Sequence, residues 1–335
     1  RQVFVLNTHD PVLFFTNTGM VYELKVYKLP LGNPQAKGRP IINLLPLSEG
    51  EQVTTMMPLP ENEDNPPDLM FATKSGNVRR NPLSDFSNIK SNGKIAMKLI
   101  DGDSLVGVVP CRENDDILLS ASLGKCMRFR SNDVRFFKGR GSIGVRGIRL
   151  KQEDYVISIS VLKHIEADTD IKTLYLKAAG AKRRGDAQDY IEEEQFELMN
   201  NDDQFILTIS ENGFGKRTSA YEYRITNRGG QGIINIETSE RNGPVIASFL
   251  VEDSDDVMLV TNAGRMIRSP VNDIRIASRN TQGVTLFSID KGEKVVSVTA
   301  ISAVEDEQNE NLDKESEEIN DSDDVSIDKE DNKDE

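Results

Sequence analysis

The 335-residue chain has no tryptophan, two histidines and two cysteines, and each scarcity removes a class of chemistry. His9 and His164 stand far apart in sequence, without the neighbours of a metal or catalytic cluster. Cys111 and Cys126 have no further ligand partners for zinc and read as buried small residues. A disulfide between them is not expected in what reads as a cytoplasmic protein. No apolar run approaches the roughly 20 residues that span a bilayer. The start, Arg1-Gln2-Val3-Phe4, runs straight into a strand and lacks a signal peptide, so a soluble intracellular chain is expected.

What the chain has is a repeat. Hairpin glycines recur at Gly19, Gly76, Gly124, Gly213 and Gly264. A second glycine follows each by 17 to 20 residues, at Gly38, Gly93, Gly144, Gly232 and Gly283, and opens an apolar run such as Ile233-Ile234-Asn235-Ile236. A period near fifty residues filled with short apolar runs and turns specifies the blades of a propeller-like array. In the first repeat, 12–15 and 20–27 form a hairpin whose turn uses the positive φ open to glycine, and 41–47 and 52–59 supply a third and a fourth strand. The expected fold is all-β: about five four-stranded blades at about 1–60, 68–111, 116–162, 204–251 and 256–301. A hydrophobic content of 37% suffices for a series of small cores between blades.

One interval, from Gly124 to Gly213, is 89 residues where the others run from 48 to 57. The extra length, 163–203, reads either as a flexible surface excursion or as a contact site carried by Lys182, Arg183 and Arg184. Residues 303–335 hold sixteen acids and three lysines with no aromatic residue, a composition expected to be disordered. The tail is expected either to compete with an anionic ligand for the basic face of the array or to act only as a solubilising segment. Without tail and insertion, the blades carry 32 bases against 28 acids, so the acidic total of −14 hides a slightly basic array.

The bases fall in register. Four residues after the hairpin glycine stand Arg80, Arg128, Arg217 and Arg268, with Glu23 the exception. Strand alternation sends equivalent positions to one face, and these four are expected to project from the outer rim of the disc. Lys216 adjoins this row. A second row lies in the loops before the second glycine: Lys37 and Arg39, Lys90 and Lys94, Lys138 and Arg140, Arg224 and Arg228, Arg275 and Arg279. A curved belt of cations suits the phosphates of a bent duplex. With aromatics at 6% and sparse in these loops, stacking on unpaired bases is disfavoured, and no helix or ribbon is evident for base-edge readout. Sequence-tolerant binding of double-stranded DNA is the expectation.

The stretches Leu6-Asn7-Thr8-His9-Asp10, Gly38-Arg39-Pro40-Ile41-Ile42-Asn43-Leu44-Leu45-Pro46-Leu47, Gly144-Val145-Arg146-Gly147-Ile148-Arg149-Leu150, Gly213-Phe214-Gly215-Lys216-Arg217-Thr218, Glu240-Arg241-Asn242-Gly243 and Arg279-Asn280-Thr281-Gln282-Gly283-Val284 resemble the C-terminal domain of the bacterial DNA gyrase A protein. The resemblance covers residues 1 to about 301 and implies a β-pinwheel, whose blades exchange a strand with their neighbours. It implies a non-catalytic DNA-wrapping role through which a type II topoisomerase introduces negative supercoils. It also implies as partners the breakage-reunion domain of the gyrase A protein and the gyrase B protein, with ATP and Mg used by the holoenzyme and no cofactor bound by this chain. The family disc usually has six blades and a basic heptad in the first; here Asn227-Arg228-Gly229-Gly230-Gln231-Gly232 is the nearest echo, so a preceding blade is expected to lie outside this sequence.

The transesterifying tyrosine of type II topoisomerases follows an arginine, and none of the seven tyrosines here does. Gly139-Arg140-Gly141-Ser142-Ile143-Gly144 matches a dinucleotide-binding pattern, but it joins strands and opens no helix. The related C-terminal domain of the topoisomerase IV A protein is the alternative within the class; the Leu-Asn-Thr-His-Asp and Glu-Arg-Asn-Gly stretches and the acidic tail favour gyrase. A protein-interaction propeller of the WD or kelch type is the alternative outside it, and the absence of tryptophan disfavours it. No membrane contact is expected, and the location expected is the bacterial cytoplasm, at the nucleoid.

Overall fold

A computed structural model describes residues 6–32, 38–59, 65–138, 141–186 and 190–302. The acidic tail, Lys37 and Arg140 lie outside the described residues.

The first repeat supplies β1 (Pro11–Thr16), β2 (Met20–Lys25) and β3 (Val53–Pro58). The second supplies β4 (Asp68–Thr73), β5 (Asn77–Pro82), β6 (Lys94–Ile95) and β7 (Leu105–Cys111), and the third β8 (Asp116–Ala121), β9 (Lys125–Arg130), β10 (Val145–Arg146) and β11 (Val156–Leu162). After helices α1 (Thr169–Arg184) and α2 (Glu193–Asp202), the fourth repeat supplies β12 (Phe205–Ser210), β13 (Phe214–Ser219), β14 (Ile233–Ile234) and β15 (Val245–Val251). The fifth supplies β16 (Asp256–Thr261), β17 (Met266–Pro270), β18 (Val284–Thr285) and β19 (Val295–Ile301).

The sheets do not coincide with the repeats. Their orders are β3-β1-β2-β6, β10-β5-β4-β7, β11-β8-β9-β14, β15-β12-β13-β18 and β17-β16-β19. Each two-residue strand, β6, β10, β14 or β18, therefore pairs with the second strand of the preceding repeat, as a β-pinwheel requires. The third strand expected at 41–47 is not formed: Ile41–Asn43 is a 3-10 turn. Among the described residues the fifth sheet has three strands, because β17 receives no donated strand.

Glycine makes the exchange possible. Gly124 has φ 81°, and a Cβ built there would run into the carbonyl of Ile236 in the next repeat. Its own carbonyl accepts from Asn235 N–H at 2.9 Å and Ile236 N–H at 3.3 Å. At Gly264, in the sheet without a donated strand, nothing lies within 4 Å of such a Cβ.

Cores form between blades. Leu13, Phe15 and Val21 of the first blade pack with Leu69, Phe71 and Phe86 of the second, and the ring centroid of Phe15 lies 5.6 and 5.7 Å from those of Phe71 and Phe86. Such aromatic pairs add about 0.5–1.5 kcal/mol beyond their burial. Strands β3, β7, β11, β15 and β19 pack consecutively and line the inner side, so the donated strands mark the outer edge. Cys111 and Cys126 are buried thiols pushed up to about 12 by desolvation, as expected of small core residues.

The insertion is folded rather than a structureless excursion. Asp168 caps α1 through the Asp170 N–H, Gly185 ends it at φ 77°, and Ile171, Tyr175, Ala178 and Ala179 form an apolar stripe at helical spacing. Tyr175 packs at 5.4 Å from Phe196 of α2 and 5.2 Å from Tyr221 of the fourth blade. Beneath it, Asp203 accepts from the Tyr175 hydroxyl at 3.1 Å and the Ser219 hydroxyl at 2.7 Å. Burial still pushes its carboxyl up to about 6. A raised carboxylate pKa means that the folded state holds the proton after the unfolded state has released it. The associated stability is therefore full below the unfolded pKa and lost as pH rises through about 6. The helical circular dichroism signal is expected to melt at a higher temperature at about pH 4.5 than at about pH 8, and Asp203→Asn to flatten that difference; equal slopes in the two proteins would remove Asp203 as the cause.

Candidate nucleic-acid interface

The first row of arginines is a set of clamps, not a rim. Arg80, Arg128 and Arg217 are at most 5% exposed, which corrects the expectation that they project outward. Arg80 donates through Nε and Nη2 to Asp68 at 3.0 and 2.6 Å and through Nη1 to Asn132 of the next repeat at 2.7 Å, with the Phe136 ring over it at 4.3 Å. Arg128 donates to Asp116 at 3.0 and 2.8 Å and to the carbonyls of Ala220 and Tyr223 at 2.7 and 3.3 Å. Arg217 holds Asp253 and the carbonyls of Ile274 and Asn272. Each arginine thus fastens the following repeat to its own blade. Arg268 pairs with Asp256 at 2.6 Å, yet its side chain stays 47% exposed, since no donated segment covers the fifth sheet. Alternation did place the row on one face. That face is covered by the incoming chain, through parallel bridges from Arg80 to Phe136, Arg128 to Ile225 and Arg217 to Ile276.

Lys216 is also buried and does not face solvent: its ammonium donates to the carbonyls of Ser278, Arg279 and Thr281 at 2.6, 2.7 and 3.1 Å and to the Thr281 hydroxyl at 3.1 Å. Burial draws its pKa down to about 8. Arg79 does the same for its own neighbour, donating from Nη1 to the Ser142 carbonyl at 2.8 Å. These cations hold the basic loops in place from beneath.

Of the second row, the described residues divide into an exposed set and a half-buried set. The crossing segments of the second to fifth repeats lie at the outer edge of the preceding sheet and carry exposed Lys90, Lys138, Arg224 and Arg275; Arg39, in the first repeat, which donates no strand among the described residues, is exposed as well. Lys94, Arg228 and Arg279 are half-buried and partly committed: Lys94 to the Ser87 carbonyl at 3.3 Å, Arg228 to that of Asp133 at 2.8 Å and Arg279 to that of Ile234 at 3.1 Å. Arg135, overlooked in the sequence, is exposed and stands eleven residues after its hairpin glycine, the spacing of Arg224 and Arg275. That shared spacing was the available signal.

Comparison with known proteins decides the family. A family model described as "DNA gyrase C-terminal domain, beta-propeller" matches residues 10–60, 67–112, 115–163, 204–252 and 255–302. The chain belongs to the DNA gyrase A C-terminal domain family.

Among relatives, the DNA gyrase A protein of Rickettsia bellii is 49% identical over 322 residues, covering 92% of this chain and 36% of that protein. Its Escherichia coli counterpart is 37% identical over 307 residues, covering 92% and 30%. The chain therefore spans about a third of the length of the curated gyrase A proteins it matches. A solved C-terminal domain of DNA topoisomerase IV superposes with a TM-score of 0.71 at 21% identity, covering 89% of this chain and 81% of that one. A DNA gyrase A C-terminal domain gives 0.63 at 22%, covering 88% and 84%. At these identities the superpositions speak for the β-pinwheel fold alone, while the sequence relatives carry the gyrase assignment.

Among the described residues no three His, Cys, Asp or Glu side chains come together as a metal site. Gly144 leads into the two-residue strand β10 rather than a helix. His164 sits 3.1 Å from both oxygens of Asp116, inside the clamp of the third blade. No helix among the described residues is long and apolar enough to cross a membrane. Of the insertion's basic run, Lys182 pairs with Glu197 at 3.5 Å and Arg184 with Asp186 at 3.3 Å, while Arg183 is desolvated beside Tyr175 and Asp203.

Proposed function

We propose that this chain binds double-stranded DNA without sequence preference along the outer edge of its sheets and wraps it. The observation that carries the reading is an exposed cation in the basic loop of every repeat, Arg39, Lys90, Lys138, Arg224 and Arg275, the last four leading into the strand donated to the edge of the preceding blade. Phosphates of a duplex bent along that edge meet a regularly spaced line of charge, and no base need be read. Belonging to the gyrase A family supports a role inside a type II topoisomerase, where wrapping gives the crossing of two duplexes one hand and so directs strand passage toward negative supercoils. The breakage-reunion domain of the gyrase A protein and the gyrase B protein are the partners of that assembly, the cytoplasmic nucleoid is its place, and the transesterification and ATP hydrolysis belong to those other parts.

Relaxing a closed circular plasmid with a type I topoisomerase in the presence of the chain tests wrapping directly. After protein removal, the topoisomer distribution is expected to be displaced in one direction in proportion to bound chain. An undisplaced distribution at saturating binding would reduce the role to contact without wrapping.

A further inference from the structure

The insertion brings a cation of its own to the basic edge. Lys172 of α1 faces Arg224 of the fourth repeat and Arg279 of the fifth across a cleft of about 490 Å³, also lined by Thr173, Arg128 and Glu222. The acids nearby are already engaged. Glu222 accepts from the Ser278 hydroxyl at 2.7 Å and the Arg279 N–H at 3.0 Å, Asp116 is held by Arg128 and His164, and Asp168 caps α1. The Lys172 ammonium has no hydrogen-bond or ion-pair partner among the described residues, and neither has the Arg224 side chain. Desolvation and the nearby Arg128 draw the Lys172 pKa down, outweighing the opposite pull of Asp116 and Asp168.

We infer that α1 is a side wall of the DNA-binding edge, and that the cleft between Lys172, Arg224 and Arg279 seats a backbone phosphate of the duplex. The inference rests on the reading of the edge as a DNA surface. It gives the helical insertion a ligand: the phosphodiester track as it passes from the basic loop of the fourth repeat to that of the fifth. The opposite end of α1 does not serve, because Lys182 and Arg184 are paired with acids.

Binding of the 335-residue chain to a linear duplex of mixed sequence, followed by anisotropy over a salt series, tests it. Lys172→Ala is expected to weaken binding several-fold at low salt and to shallow the salt slope by about 0.9, the loss of one phosphate contact. Lys172→Arg restores both, and Lys177→Ala, exposed on α1 outside the cleft, changes neither. A photo-crosslinker on Thr173→Cys gives a readout independent of charge; Cys111 and Cys126, buried with thiols pushed up to about 12, leave the new thiol as the reactive one. It is expected to capture the duplex. If Lys172→Ala behaves as Lys177→Ala and no crosslink forms, while reversing Arg39, Lys90 and Lys138 still weakens binding, the cleft is not a DNA site and the edge reading stands. If that reversal also has no effect, the edge reading itself fails.

Discussion

Replacing Arg128 with methionine is expected to cost stability rather than DNA affinity. The guanidinium sits against Asp116, which has no exposed surface, and also serves the carbonyls of Ala220 and Tyr223 in the next repeat. Removing one partner of a buried ion pair strands the other charge and typically costs about 3–5 kcal/mol, whereas replacing both by apolar groups of similar volume is often close to neutral. The single variant should therefore lose about that much in urea unfolding, and Asp116→Leu combined with Arg128→Met should regain much of it. The regain will be partial, because the two carbonyls stay without their donor. Measured per folded molecule, duplex affinity should fall far less than stability, because Arg128 lines the Lys172 cleft with a guanidinium already committed to Asp116 and two carbonyls. A variant that is fully stable but binds weakly would return Arg128 to the rim, against its burial.

Reversing the five exposed edge cations together, Arg39, Lys90, Lys138, Arg224 and Arg275 to glutamate, should do the opposite. These side chains stand in solvent and carry no packing, so the melting temperature should hardly move. Affinity for any duplex should fall by on the order of a hundredfold or more at low salt, and the salt slope should shallow by about 4 to 5, since each phosphate contact contributes about 0.9. The loss should be the same on sequences of different composition, because phosphate contacts carry no base information. An unchanged slope, or a loss confined to some sequences, would mean that these cations are not the phosphate ligands.

The difference between the two rows shows what the sequence could and could not disclose. Period, hairpin glycines and apolar runs were all legible, because each follows from local geometry. Which blade a run pairs with was not: Ile233-Ile234 is too short to announce a partner, and nothing local distinguishes the sheet of its own repeat from that of the one before. The arginines four residues after the hairpin glycine were assigned to the correct face and the wrong environment, since alternation gives the direction of a side chain and not what lies over it. A clue was present in Asp68–Arg80, Asp116–Arg128 and Asp256–Arg268, each acid twelve residues before its arginine, a spacing that a hairpin turns into a diagonal pair. The helices of the insertion were legible as well, in the Asp168 cap, the Gly185 stop and the four-residue spacing of Ile171 and Tyr175, but the surrounding charge drew attention to loops instead.

Strand donation also decides where this architecture tolerates added length. The 163–203 segment leaves the chain after β11 and returns before β12, and with both helices in place β14 still reaches back to β9 and β15 still packs on β11. The same growth between the 3-10 turn at Ser131–Asp133 and β10 would pull a donated strand off its host. The junction between one blade's inner strand and the next blade's first strand is thus a splice point. A foreign folded module carried at the natural site, between β11 and β12, should leave the register of every sheet intact, whereas the junction at 252–255 is tied down by the Arg217 clamp on Asp253.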